Sequence, residues 1–116
     1  MSMRYLVLMA FGVIAAGMSV ESSIAQDYTC ISGYVWREAR ASDLVCVPPQ
    51  TRSRTKADNA AAPGRWDPNG YLGRYTCKSG YVWREAFAGD AVCVTPARRS
   101  AVARENAEAA LHRTRG

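Results

Sequence analysis

The chain is predicted to be a small disulfide-rich α+β protein made of two tandem units, each a disulfide-closed β-hairpin followed by a short surface helix. Three observations predict it. Residues 28–49 read YTCISGYVWREARASDLVCVPP and residues 75–96 read YTCKSGYVWREAFAGDAVCVTP, so one structural unit has been written twice. All four cysteines fall inside this duplicated frame, at matching positions. Within each copy, β-branched and aromatic runs come first and an alanine-rich polar stretch follows, which is the order strand, strand, helix.

Residues 1–25 come first. Arg4 precedes an almost unbroken apolar run from Tyr5 to Ala16, and Ser23-Ile24-Ala25 supplies small residues before Gln26. That is the pattern of a secretory signal peptide. A membrane anchor needs about 20 apolar residues, whereas polarity returns here at Ser19, Glu21, Ser22 and Ser23. No cysteine flanks the site, which argues against a lipid anchor. The expected residence is therefore periplasmic or secreted, with the membrane met only transiently through the leader. About 90 residues then remain, few for a large core and fewer still per unit. An exporting route permits disulfides, and small secreted units need them.

The first repeat module is placed at residues 26–62. Cys30 aligns with Cys77 and Cys46 with Cys93, both 47 positions apart. The match continues without gaps: Arg52-Ser53 falls on Arg99-Ser100, and Asp58-Asn59-Ala60 on Glu105-Asn106-Ala107. Tyr34-Val35-Trp36 and Val45-Cys46-Val47 are the strands of a hairpin. Trp36 opposite Cys46 would put the indole on the disulfide's face of the sheet. The following helix is expected to be the shorter of the two, because Pro48 stands where the second copy has a hydroxyl cap. Residues 63–74 (PGRWDPNGYLGR) are dense in turn formers and form a turn-rich linker.

The second module, residues 75–111, repeats the hairpin. Thr95-Pro96 then starts a helix well, with a hydroxyl at the N-cap and proline in the first turn. Neither helix shows a strong apolar stripe, so both are expected on the surface and partly frayed. Residues 112–116 are a basic tail that includes the only histidine, His112.

Four cysteines allow three pairings. Cys30–Cys46 and Cys77–Cys93 are favoured, because duplicated units must each have closed alone before they were joined. Each loop of about 15 residues would stabilise by about 3 kcal/mol. A zinc site lacks the close C-x₂₋₄-C spacing and a second histidine, and a C-x-x-C redox pair is absent. Neither a metal nor a cofactor is expected.

The string T-C-x-S-G-Y-V-W-R-E-A…D-x-V-C-V-T-P, followed by arginine and then Asn-Ala, resembles a repeat of exported bacterial proteins that occurs singly or in tandem. The resemblance rests on Cys77, Gly80 to Ala86, Asp90, Val92, Cys93, Thr95 and Pro96, and covers nearly all of the chain after residue 25. It implies an extracytoplasmic repeat module and supplies no catalytic residues.

Candidate binding residues are those the two copies share: Tyr34, Trp36, Arg37 and Glu38 in the first, Tyr81, Trp83, Arg84 and Glu85 in the second. The rings either cover their disulfides or stack on a ligand; the charged pairs either form cross-strand ion pairs or fix a ligand's polar groups. Asp43 and Asp90 read as turn-capping or ion-paired aspartates, with a paired-carboxylate hydrolase as the long shot. The formal charge of +5 favours anionic partners such as envelope polymers. A saccharide ligand and a protein partner are the alternatives, and the compartment argues against nucleic acid. No nucleophile with its base and no phosphate loop is present, so the expectation is a non-enzymatic binding or structural module.

Overall fold

The computed structural model describes residues 28–115. The expected leader, residues 1–25, lies outside the described residues. Residues 30–113 make one compact unit. Its architecture is small, disulfide-rich α+β, with short antiparallel strand pairs and two helices in two similar halves.

Strands β2 (Val35–Trp36) and β3 (Cys46–Val47) form the first hairpin, and β6 (Val82–Trp83) and β7 (Cys93–Val94) the second. Trp36 stands opposite Cys46 and Trp83 opposite Cys93, the register expected from alternation. Beyond these pairs the ladders continue, with the Arg37 N–H donating to Val45 O at 2.8 Å and Arg84 N–H to Val92 O at 2.7 Å. Each hairpin is entered by a tight turn at a left-handed glycine, Gly33 (φ 89°) or Gly80 (φ 91°), a conformation that costs glycine little. The disulfides are Cys30–Cys46 and Cys77–Cys93.

Helix α1 (Pro49–Ala61) follows the first hairpin and α2 (Pro96–Ala107) the second. Thr95 caps α2, its side chain accepting from the Arg98 N–H at 3.2 Å. Pro48 offers α1 no side-chain cap, yet α1 has 13 residues against 12 for α2, so the expectation of a shorter first helix fails. The reason is Pro49 at the first helical position, whose fixed φ begins the turn without a capping hydroxyl.

Each helix ends in a 3₁₀ turn (Ala62–Arg65; Ala109–His112) and then a strand. These last strands cross over. Strand β4 (Trp66–Asp67), which follows α1, pairs with β5 (Thr76–Cys77) at the start of the second repeat. Strand β8 (Arg113–Arg115), which follows α2, pairs with β1 (Tyr28–Cys30) at the start of the first. Each repeat thus finishes a strand pair begun by the other.

The stretch read as a linker contains the end of the 3₁₀ turn, β4 and a loop tied down by polar groups. The Thr76 hydroxyl accepts from the Leu72 N–H at 3.1 Å and donates to Gly73 O at 2.6 Å, and Asp67 accepts from the Asn69 N–H. Gly70 lies so close to Thr76 that a Cβ there would stand 2.4 Å from the threonine Cβ. Gly70→Ala is therefore expected to destabilise by about 1–3 kcal/mol, the cost of overpacking, seen as a lowered Tm in thermal denaturation.

The helices lie on the surface, but neither is idle there. The apolar core is small: Ala39, Ala86 and Val102 cluster with Phe87 packed against them, and Cys46, Val47, Cys93 and Val94 are buried on the hairpins. Beside it α1 turns Thr55 and Asp58 inward, and α2 turns Arg98 and Val102 inward. Apart from Val102 the inward faces are polar, which explains why no apolar stripe announces them.

Candidate functional site

Among the described residues three arginines are buried, and two of them, Arg37 and Arg84, organise everything around them. Arg37 and Arg84 are each only 1% exposed. The Arg84 fork grips Asp90 through Nε (2.8 Å) and Nη2 (3.2 Å). Arg37 grips Asp43 in the same way and at the same distances. Each aspartate also accepts two main-chain N–H groups, from Ala39 and Val45 or from Ala86 and Val92. Asp43 and Asp90 are therefore both turn caps and ion-pair partners.

The second guanidinium arm leaves its own repeat. Arg84 Nη1 donates to Asn59 Oδ1 on α1 at 2.8 Å. Arg37 Nη1 donates to Asn106 Oδ1 on α2 at 2.9 Å, and to Glu105 at 3.2 Å. Each asparagine uses its amide to hold its own hairpin, Asn59 Nδ2 donating to Ala39 O and Asn106 Nδ2 to Ala86 O. Arg98 completes the lattice with Asp58, Glu105 and the Thr55 hydroxyl. Buried charges survive only when paired and hydrogen-bonded, and no buried side-chain N or O among the described residues lacks a partner.

Of the eight candidate residues, Arg37 and Arg84 are thus spent on the interior and present nothing to a ligand. Glu38 and Glu85 are exposed and held in the left-handed region, at φ 63° and 60°. Among the described residues their only ion pairs are long, 3.7 Å to Arg52 and 3.9 Å to Arg99. Non-glycine residues rarely take this conformation. Tyr34 and Tyr81 are half-buried under the tail of the opposite repeat. The His112 ring stacks on Tyr34 at 4.2 Å, and the Arg65 guanidinium sits 4.8 Å over Tyr81. Trp36 and Trp83 are half-buried on their hairpins.

Two hollows remain. One lies against both helices, about 490 Å³, with Arg54, Arg98 and Arg104 among its lining residues together with Thr51 and Glu105. The other belongs to the second hairpin, about 710 Å³, walled by Leu72, Tyr75, Trp83 and Phe87, with Glu85 and Asn106 as polar lining. Sequence reasoning missed Leu72, Tyr75 and Phe87, and it missed Asn59 and Asn106. For the asparagines a signal existed, since Asp58-Asn59-Ala60 realigns with Glu105-Asn106-Ala107 at the repeat offset. Among the described residues, no group of acidic, cysteine or histidine side chains could hold a metal ion, and no helix is long and apolar enough to cross a membrane. Set beside protein-family models, curated proteins and solved structures, the chain matches none of them.

Proposed function

We propose that this is a non-enzymatic, extracytoplasmic binding module whose basic exterior associates with anionic polymers of the cell envelope. The observation that carries the reading is the disposition of charge. Asp43, Asp58, Asp90 and Glu105 are drawn inward to pair with Arg37, Arg84, Arg98 and Arg65. Outside the network the described acids are Glu38, Asp67, Glu85 and Glu108, against a much larger set of lysines and arginines. The network takes in as many arginines as acids, so the whole positive excess of the described residues stays on the exterior, and such a surface attracts polyanions. The helix-side hollow is where Arg54 and Arg104 come together. Two disulfides in a small fold fit an oxidising compartment. Against hydrolysis stands Asp90, whose two oxygens already accept four donors and have no free lone pair directed at a substrate proton.

The test is retention of the oxidised protein on isolated envelope polymer across a salt series. Binding should fall steeply as salt rises, because exposed charges are screened beyond about 8 Å at physiological strength. Arg54→Glu/Arg104→Glu should weaken low-salt retention by about thirtyfold or more, since each surface charge contributes roughly 1 kcal/mol near an anionic surface and a tenfold change is about 1.4 kcal/mol. Absence of retention at low salt, or retention indifferent to both salt and charge reversal, would overturn the proposal.

A further inference from the structure

We infer that the hollow on the second hairpin is a saccharide site, which takes a neutral pyranose ring against Trp83, Tyr75 and Phe87, and that the first repeat has no equivalent of it. Each wall ring is held by a partner. The Trp83 indole N–H donates to Tyr75 O at 2.8 Å. Tyr75 meets the edge of Trp66 with ring centroids 4.6 Å apart. Phe87 is braced by the Arg40 guanidinium, 4.2 Å from its centroid. Rings fixed in advance have little freedom left to lose when a ligand arrives.

The chemistry of the walls selects the ligand. Aromatic faces carry negative charge density and attract the weakly positive C–H hydrogens of a pyranose face. Glu85 holds an exposed carboxylate at the site that accepts from sugar hydroxyls, and Asn106, whose amide already serves Arg37 and Ala86, keeps a second N–H to donate. Lysine and arginine do not line this hollow, although the protein is basic; the nearby Arg40 and Arg74 lie over the Phe87 and Tyr75 rings, so the lining offers a ligand aromatic faces rather than a cation. Asp90, which also lines it, has its charge answered by Arg84. At about 710 Å³ the hollow is within the usual range for small-ligand sites.

Divergence between the copies falls on this site. Phe87 corresponds to Arg40 at the repeat offset, so the first repeat lacks the third ring and uses that position to brace the second repeat's ring. Leu72 comes from the loop held by Thr76 and Asp67, and it flanks Trp83 on the side facing a smaller hollow as well. That loop buries no large side chain of its own, for Tyr71 is 92% and Leu72 53% exposed.

The experiment is a titration of the full oxidised protein, ¹⁵N-labelled, with neutral β-1,4-linked tetrasaccharides of glucose and of N-acetylglucosamine, following the three indole N–H resonances. Saturable shifts are expected at Trp83 and not at Trp36, unchanged when salt is raised from about 0.1 M to about 1 M. Phe87→Ala should weaken binding by about 3- to 10-fold, the value of one aromatic contact. Because that change could also loosen Arg40, Glu85→Gln is the second variant: its side chain is exposed, its fold should be intact, and its affinity should fall. Absence of saturable shifts with either sugar, shifts of equal size at Trp36, or binding that salt abolishes would each overturn the site. Displacement of the Trp83 resonance only by an apolar peptide would overturn it in favour of a protein partner. None of these outcomes depends on the polyanion reading, which is scored by salt-sensitive retention alone.

Discussion

Asp90→Asn is expected to abolish cooperative folding, or to cost about 3–5 kcal/mol if a transition survives, the penalty for leaving one member of a buried ion pair alone. The Arg84 guanidinium would stay in an interior where it is 1% exposed. Asparagine would oppose the donors Arg84 Nε and Ala86 N–H with an NH₂ group in place of one oxygen. Total stabilities of 5–15 kcal/mol are usual for domains, so such a loss moves a small protein close to its unfolding threshold. Far-UV circular dichroism against temperature reads it directly. Glu85→Gln, exposed and next in sequence to the same arginine, should change stability by no more than about 0.5 kcal/mol. Replacing the pair by Arg84→Met/Asp90→Leu should recover only part of the loss, because the Ala86 and Val92 N–H groups would then lack their acceptor. A melting curve for Asp90→Asn that overlays the parent would show that the network is not what holds the halves together.

Loss of either disulfide is the second large effect. Cys77→Ser/Cys93→Ser, or its counterpart Cys30→Ser/Cys46→Ser, should cost about 2–5 kcal/mol. Cys93 is completely buried and Cys46 nearly so, so the serine variants also place a hydroxyl in an apolar site, which adds to the loss. The second bridge should matter at least as much as the first, since the Cys93 carbonyl also receives Arg65 Nη1 at 3.0 Å and links the second hairpin to the turn after α1. Thermal unfolding with and without reductant measures both, and a non-reducing peptide map should return the pairs 30–46 and 77–93 with no cross-link between repeats. A Tm unmoved by reduction would remove the disulfides from the account of stability.

Much of the local structure was legible. The hairpins, their register and the cysteine pairing follow from alternation, glycine turns and duplicated spacing, all of which act over a few residues. The Thr95 cap of α2 was legible for the same reason. The roles of Arg37 and Arg84 were not. A charged residue in a strand-like run, followed by glutamate, reads as one half of a cross-strand ion pair or as a group that fixes a ligand, not as the centre of a buried lattice. Whether it is buried depends on acceptors 25 and 69 positions away in sequence, Asn59 for Arg84 and Asn106 for Arg37. The helices misled in the same direction. An inward face built of Thr55, Asp58 and Arg98 gives no apolar period, so a buried polar face and a frayed surface helix look alike until the partners are placed.

By itself, the sequence determined the unit: two copies of a disulfide-closed hairpin and a helix, with matching strands, turns and bridges. These depend on short-range chemistry, and a repeat states that chemistry twice. The tertiary structure alone decided how the copies combine. It exchanges the terminal strands, sends each arginine to the opposite helix, withdraws half of the described acids from the surface and sets Arg40 beneath Phe87. Such choices arise between residues far apart in the chain, where the energy of a buried charge depends on every donor and acceptor around it. No local pattern of residue types encodes that sum.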